Sequence, residues 1–193
     1  MKKIIKYLLS RYYFNYKKNF VIDKYRMKKM QFKSIEKGIR LSEDLSLFNT
    51  QNIKIGEYVF IGKQAYIDAV DTVEIGSGTM IGPRLTIISS NHNYDGEELS
   101  SIPYDNKIYK RPVIIKDNVW IGSNVCILPG VEIGEGAVIG MGTIVSKNIP
   151  PYAIAVGNPV KIIKYRNKDI YLKLKHEDKI YNKEYAGKGF IYV

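Results

Sequence analysis

A six-residue repeat constrains the fold of this chain more than any other feature of its sequence. From Ile53 onward, blocks of six residues carry apolar side chains at their first and third positions and glycines near their ends, as in VWIGSN beginning at Val119. Twelve such blocks align, six before and six after a long interruption, with a two-residue insertion after the third block. Eleven of the twelve third positions are isoleucine. A helix would space its apolar residues by three and four, so the pattern predicts short strands joined by tight turns.

The repeat therefore predicts a mainly β protein built as a parallel β-helix. Three six-residue sides make one triangular coil, so twelve blocks predict about four coils over residues 51–165, stacked about 4.8 Å apart by parallel pairing. The β-branched isoleucines suit a pleated surface and should fill the interior of the prism. The glycines accommodate the backbone angles of a repeated corner.

The interruption, residues 91–112, is the segment in which a functional site is expected. Insertions in repeat proteins often form the binding face. This one opens with His92, one of only two histidines in the chain. An imidazole ordinarily titrates near pH 6.5, so it can accept a proton from a hydroxyl at neutral pH. The alternative interpretation is a solvated loop histidine, which composition alone favours.

The two ends of the chain differ from the repeat in composition. Residues 1–40 contain 13 Lys/Arg and two acidic residues, so 13 − 2 = +11, which is the whole net charge. Residues 1–20 place apolar side chains at helical spacing among these cations, which predicts a basic amphipathic helix within an N-terminal arm of residues 1–50. That helix could cap the first coil or associate peripherally with an anionic membrane. Residues 166–193 predict a tail with a short polar helix.

Other composition features narrow the class of protein. The single cysteine, Cys126, and two histidines exclude a disulfide framework and leave no zinc-ligand spacing, so no metal is predicted. No apolar run approaches the roughly 20 residues that span a bilayer, and no signal-peptide pattern is present. We therefore expect a cytoplasmic protein, with peripheral membrane contact through residues 1–20 as a hypothesis. No nucleic-acid partner is expected, because no recognition motif accompanies the charge.

The second half of the repeat carries a family resemblance. Residues 119–166, VWIGSNVCILPGVEIGEGAVIGMGTIVSKNIPPYAIAVGNPVKIIKYR, resemble the hexapeptide-repeat acyltransferases, in particular the galactoside, maltose and streptogramin acetyltransferases and the polysaccharide O-acetyltransferases. The resemblance extends from about Asn52 to Arg166. It implies a left-handed prism, a homotrimer, acetyl-CoA as co-substrate and a histidine at the start of the extended loop as general base. Here that histidine is His92, so the resemblance reverses the preference from composition.

The resemblance also implies roles for other residues. The backbone near Ser123 should hold the oxyanion, and Trp120 should flank the thioester. The residues expected to bind CoA are Met141, Ser146, Lys147, Lys161 and Lys164. An asparagine that holds the acceptor in sugar-acetylating relatives falls on Gly62, which leaves the acceptor open. Candidate acceptor-binding residues, each equally open to interpretation as turn formers or solvated residues, are Asp68, Asn91, Asn93, Asp95 and Tyr104.

These observations together predict an O-acetyltransferase. It would move an acetyl group directly from acetyl-CoA to a sugar hydroxyl, in a cell-surface polysaccharide or its precursor, with His92 as base. Alternatives are an antibiotic or nucleotide-sugar acetyltransferase, or a non-catalytic β-helix scaffold. A γ-type carbonic anhydrase shares the prism but needs three histidines at its metal, which this chain does not supply.

Overall fold

The computed structural model describes residues 32–42 and 44–185, and it confirms the parallel β-helix. Each coil contributes one short strand to each of three sheets, and equivalent strands of successive coils pair in parallel. Sheet A contains β1 (Ser34–Ile35), β4 (Ile53–Ile55), β7 (Val73–Ile75), β12 (Val113–Ile115) and β15 (Glu132–Ile133). Sheet B contains β2 (Arg40–Leu41), β5 (Phe60–Ile61), β8 (Met80–Ile81), β13 (Trp120–Ile121), β16 (Val138–Ile139), β18 (Ala153–Val156) and β19 (Lys161–Tyr165). Sheet C contains β3 (Ser46–Phe48), β6 (Tyr66–Asp68), β9 (Thr86–Ile88), β14 (Cys126–Ile127) and β17 (Ile144–Val145).

The prism has more coils than the predicted four. Five coils are complete, and β18 with an isolated bridge between Ile133 and Ile149 forms part of a sixth. The extra first coil consists of β1, β2 and β3, so residues 34–48 belong to the β-helix rather than to the predicted N-terminal arm. Its blocks still carry apolar pairs such as Ile39 and Leu41, but leucine largely replaces isoleucine and Lys33 occupies a first position. The repeat is therefore weaker there than in later coils.

The core is a stack of inward-facing residues from the first and third block positions. Ile55, Ile75, Ile115 and Ile133 lie in register along sheet A, and each is at most 1% exposed. The corresponding columns of sheets B and C are equally buried. Each fully buried side chain of this size contributes roughly 1.5–3 kcal/mol. The core is thus continuous along the axis, and each coil rests on its neighbours.

Two of the three corners of the prism matter for the site. The B–C corner follows each sheet B strand and comprises residues 62–65, 82–85, 122–125 and 140–143. The C–A corner follows each sheet C strand and comprises residues 128–131 and 146–149 in the fourth and fifth coils. The interruption of the repeat replaces the C–A corner of the third coil.

The predicted C-terminal helix is present as α1 (Lys168–His176). Asn167 caps it by accepting a hydrogen bond from the backbone N–H of Ile170 at 3.0 Å. Tyr171 is buried between the helix and the prism, and its hydroxyl donates a hydrogen bond to Glu135 at 2.9 Å. Burial, more than the neighbouring Glu135 carboxylate, raises the pKa of Tyr171. The helix is therefore anchored to the corner between sheets A and B.

A second short helix, α2 (Tyr181–Glu184), extends this contact to the opposite end of the prism. Its buried Asn182 donates to the backbone carbonyl of Tyr58 and accepts from the guanidinium of Arg40. Residues 167–185 thus run back along one edge from the last coil toward the first.

The predicted basic helix of residues 1–20 lies outside the described residues and stays a prediction. No helix within residues 32–42 and 44–185 has the length and apolar character needed to cross a membrane.

Candidate functional site

The insertion of residues 91–112 projects from the prism as a two-stranded ribbon and a folded loop. Strand β10 (Ser90–His92) pairs antiparallel with β11 (Ile108–Lys110), with Ser90 opposite Lys110 and His92 opposite Ile108. At the base of the ribbon, the buried Ser89 hydroxyl accepts the backbone N–H of Asp71 at 2.8 Å. His92 therefore stands at the end of a short strand that begins on the rigid third coil.

A buried polar cluster folds the loop beyond His92. The Asn93 amide donates to the Asp105 carboxylate at 2.8 Å, and the Tyr109 hydroxyl donates to Asn93 at 3.2 Å. Asp105 also accepts the backbone N–H groups of Lys107 at 2.9 Å and Ser100 at 3.4 Å. Burial would raise the pKa of Asp105, but these hydrogen bonds and the Lys107 charge lower it overall. The carboxylate is thus held ionised as the centre of the loop.

The cluster places an aromatic ring on the predicted base. Tyr104, which precedes Asp105, stacks on the His92 imidazole with ring centroids 3.9 Å apart and an interplanar angle of 24°. His92 is exposed, and neither imidazole nitrogen forms a hydrogen bond with any residue that the structure describes. One face of the ring is covered, and its proton-accepting edge is accessible.

The imidazole borders a cleft between the ribbon and the C–A corners, with a volume of about 460 Å³. Four predicted residues line this cleft: the base His92, the acceptor candidates Asn91 and Asp95, and the CoA candidate Ser146. Its lining residues are Asn91, His92, Tyr94, Asp95, Tyr109, Arg111, Leu128, Pro129 and Ser146. The cleft combines a base, hydrogen-bonding groups and an apolar wall, as small-molecule sites usually do.

The residues predicted to hold the thioester lie elsewhere on the chain. Trp120 is 59% exposed on sheet B, and Ser123 and Met141 stand on the B–C corner. Sheet C separates this corner from the cleft, and Leu128 lies five positions beyond Ser123, which corresponds to about 16 Å of extended chain. One copy of the chain therefore does not bring Trp120, Ser123 and Met141 together with His92.

The remaining predicted cations are distributed over both edges. Lys147 follows Ser146 on the C–A corner and is exposed. Lys161 and Lys164 are exposed on β19, where Lys164 pairs with Ile154 at the end of sheet B. These lysines form no ion pair among the described residues, so their charges are available to a ligand.

Two acceptor candidates have structural partners instead. Asn93 is 2% exposed, and both ends of its amide are hydrogen-bonded within the loop, so its side chain does not line the cleft. Asp68 ends β6 on sheet C, where it accepts a hydrogen bond from Asn49 at 2.8 Å, and it does not line the cleft.

The backbone explains why Gly62 carries no side chain. A Cβ atom at this position would lie 2.7 Å from the Gly82 carbonyl carbon and the Pro83 nitrogen. An asparagine at position 62 would require the neighbouring coil to move. Position 62 therefore has no side chain with which to hold an acceptor.

Several residues that line the cleft were not predicted from the sequence. Tyr109, Arg111, Leu128 and Pro129 all line the cleft. A usable signal for Arg111 was its place directly before Pro112 and Val113, where the repeat resumes and the chain must return to the prism. For Leu128 no local signal exists, because only the stacking of coils brings it beside the ribbon.

Comparison with known proteins identifies relatives of the same architecture. A family model described as bacterial transferase hexapeptide (six repeats) matches residues 112–147. The structure of a maltose O-acetyltransferase from Clostridium difficile 630 superimposes with a TM-score of 0.67 at 36% identity, over 72% of this chain and 73% of that one. A galactoside acetyltransferase in complex with coenzyme A gives a TM-score of 0.66 at 29% identity, over 86% and 74% of the two chains.

One sequence relative is named for lipopolysaccharide synthesis. The putative lipopolysaccharide biosynthesis O-acetyl transferase WbbJ of Escherichia coli strain K12 is 32% identical over 142 residues, which are 71% of this chain and 65% of that protein. The chain spans about half to two thirds of the length of the curated relatives it matches.

Proposed function

This chain belongs to the family of bacterial hexapeptide-repeat acetyltransferases, whose prism winds left-handed, and on that premise we propose that it transfers an acetyl group from acetyl-CoA to a sugar hydroxyl. His92 acts as the general base. The observation that carries the proposal is the exposed His92 imidazole, stacked on Tyr104 and facing a cleft beside the prism. The acceptor is a cell-surface polysaccharide or its precursor.

The chemistry follows from the groups in the cleft. The free imidazole nitrogen of His92 takes the proton of the acceptor hydroxyl while the oxygen attacks the thioester carbonyl carbon. The new C–O bond forms a tetrahedral oxyanion, which backbone N–H groups near Ser123 stabilise; one such donor is typically worth about 3–4 kcal/mol. Collapse of the intermediate breaks the C–S bond, and the departing CoA sulfur takes the proton back from the imidazolium. No covalent acyl-enzyme is needed.

Two properties of the relatives support the choice of substrates. One solved neighbour contains coenzyme A, and named relatives act on maltose, on a galactoside or in lipopolysaccharide synthesis. A hydroxyl acceptor fits His92, because a weakly acidic hydroxyl benefits from a base. Exposed lysines on both edges suit the phosphates of CoA.

A homotrimer would complete the site. Trp120 and Ser123 lie across sheet C from His92 within one chain, so a neighbouring copy must supply them if they act together. Sheet B also presents a column of outward apolar side chains in register, of which Trp120 is the most exposed; the column contains Phe60, Met80, Trp120, Val138 and Ile154. Apolar surface of this kind favours burial against another chain.

Substitution of His92 by alanine tests the proposed function. Release of CoA thiol from acetyl-CoA, measured with a panel of saccharides, should fall by about 10²- to 10⁴-fold, the usual contribution of a general base. The matched control is His176→Ala at the end of α1, which removes the other histidine and should leave the rate unchanged. Wild-type rates in His92→Ala would overturn the base assignment. Absence of thiol release by the wild-type protein with every acceptor would favour the scaffold alternative.

A further inference from the structure

Arg111 occupies a fixed position at the base of the ribbon. Its backbone N–H donates to the carbonyl of Ser89 at 2.9 Å, which closes the ribbon where the chain returns to the prism. Its side-chain stem lies over Gly130 on the C–A corner of the fourth coil: a Cβ built on Gly130 would be 3.3 Å from the Arg111 Cδ atom. Arg111 lines the same cleft as His92.

The guanidinium of Arg111 forms no ion pair with any described residue. Seven ion pairs join other charged residues there, and Arg111 belongs to none of them. Asp95 also lines the cleft but is not within ion-pair distance of Arg111. A guanidinium presents five N–H donors in a planar fork that matches a carboxylate or phosphate. An unpaired fork beside a catalytic cleft is suited to an anionic ligand.

We propose that Arg111 binds an acidic group of the acceptor, so that the enzyme prefers saccharides carrying a carboxylate or a phosphate. This inference rests on the proposed function of the cleft. His92 must contact the acceptor hydroxyl, so an acceptor bound in this cleft lies beside Arg111. The phosphates of CoA offer the same chemistry: Lys161 and Lys164 lie on sheet B away from the cleft, whereas Ser146 lines the cleft and Lys147 follows it. The KM for acetyl-CoA is therefore measured beside the KM for each acceptor.

The test measures steady-state kinetics with matched acceptors. Methyl glucuronoside and methyl glucoside differ only in a carboxylate at C6, and glucose 1-phosphate supplies a phosphate. Arg111→Gln should raise the KM for the two anionic acceptors by about 10- to 100-fold, the usual effect of losing a hydrogen bond to a charged group, and should leave the KM for methyl glucoside unchanged. Arg111→Lys should give KM values for the anionic acceptors between those of the wild type and Arg111→Gln, because lysine keeps the charge but lacks the planar fork of N–H donors.

Lys54→Gln is the matched control, since it removes one positive charge on sheet A, where Lys54 pairs with Glu74. It should change no KM. A rise in the KM for acetyl-CoA with Arg111→Gln, and none for the acceptors, would assign Arg111 to CoA and overturn the proposal. An equal change for neutral and anionic acceptors would also overturn it.

Titration calorimetry with the same three saccharides separates this inference from the proposed function. Tighter binding of the anionic saccharides to wild-type protein, lost in Arg111→Gln, supports the anion site even if no acetyl transfer occurs. If acetyl transfer occurs but neither the kinetics nor the calorimetry distinguishes anionic from neutral saccharides, the anion site is refuted and the acetyltransferase function stands.

Discussion

At the scale of single residues, the site depends on how the loop holds His92. The imidazole has no hydrogen-bond partner among the described residues, and its defined contact is the stacked ring of Tyr104. Tyr104 is in turn placed by the buried cluster of Asn93 and Asp105. The sequence predicts His92 as the base, but it does not distinguish Asn93, which is buried, from Asn91, which lines the cleft. Alternation along a ribbon and burial within a loop depend on pairing that composition does not reveal.

Substitution of Tyr104 separates ring stacking from hydroxyl chemistry. Tyr104→Ala should lower kcat/KM by about 2- to 10-fold, because aromatic stacking is worth about 0.5–1.5 kcal/mol. Tyr104→Phe keeps the ring and should retain activity close to that of the wild type. If Tyr104→Phe lost as much activity as Tyr104→Ala, the hydroxyl would be the important group and Tyr104 would be an acceptor ligand, as its sequence position suggested.

Asp105 makes the fold of the loop sensitive to acid. The pKa of Asp105 is lower in the folded loop than its ordinary value of 3.8, so its contribution to stability is fully present above pH 3.8 and is lost as pH falls through the folded pKa. Hydrogen-exchange protection of the Lys107 and Ser100 amides should therefore decrease as pH drops below 3.8.

Asp105→Asn is the control for this acid sensitivity. It should weaken the same protection at neutral pH and abolish its dependence on acid. Unchanged protection in Asp105→Asn would show that the carboxylate does not hold the loop.

At the scale of elements, the six-residue block determines strand, corner and core together. The isoleucine columns predicted from the sequence are the columns observed in sheets A, B and C. The first coil was not predicted, because Leu41 and Leu47 stand where later coils have isoleucine and the only glycine among residues 33–48 is Gly38. Tertiary stacking on the second coil compensates for that weaker local pattern. The ribbon could be located from the break in the repeat, but not its antiparallel register.

Two glycine substitutions on the B–C corner should differ in their effect on stability. Gly62→Ala should destabilise the protein by about 1–3 kcal/mol, because the new methyl group would meet the backbone of Gly82 and Pro83 at 2.7 Å. Gly142→Asn should be close to neutral, because its φ of 74° is one that asparagine tolerates and a Cβ there meets nothing within 4 Å. Asn124 already occupies the equivalent position one coil earlier with a φ of 56°.

Urea unfolding of both variants measures this difference directly. A similar loss of stability in the two proteins would contradict the close packing of coils at Gly62.

At the scale of the whole molecule, the proposed active site is divided between two edges of the prism. The base and the cleft lie at the C–A corner, and the expected thioester residues lie at the B–C corner and on sheet B. The tail of residues 167–185 covers the third edge, between sheets A and B, so this part of the chain does not cover either site-bearing edge. The sequence indicates which residues have reactive or binding side chains. It does not show which of them come together between neighbouring copies of the chain. The resemblance to a trimeric family supplied that expectation.

Mixing two inactive variants tests whether neighbouring copies share a site. Because His92→Ala and Trp120→Ala damage different edges, hybrid trimers refolded from an equal mixture should recover about a quarter of the wild-type sites, each combining an intact His92 and an intact Trp120 from different copies. The measurement is CoA thiol release by the mixture and by each variant alone. A mixture no more active than either variant alone would mean that His92 and Trp120 act within one chain, or that Trp120 is not part of the active site.

The central claim is acetyl transfer from CoA to a hydroxyl. The most direct measurement is mass spectrometry of a saccharide acceptor after incubation with isotope-labelled acetyl-CoA and the full-length protein, followed by treatment with hydroxylamine. We expect the wild-type protein to place one labelled acetyl group on the acceptor, and His92→Ala to form much less of this product. Hydroxylamine should remove the label, because the acetyl group is attached as an ester. A labelled product that resists hydroxylamine would indicate an amide and an amino-sugar acceptor, and no labelled product with any saccharide would contradict the proposed acetyltransferase.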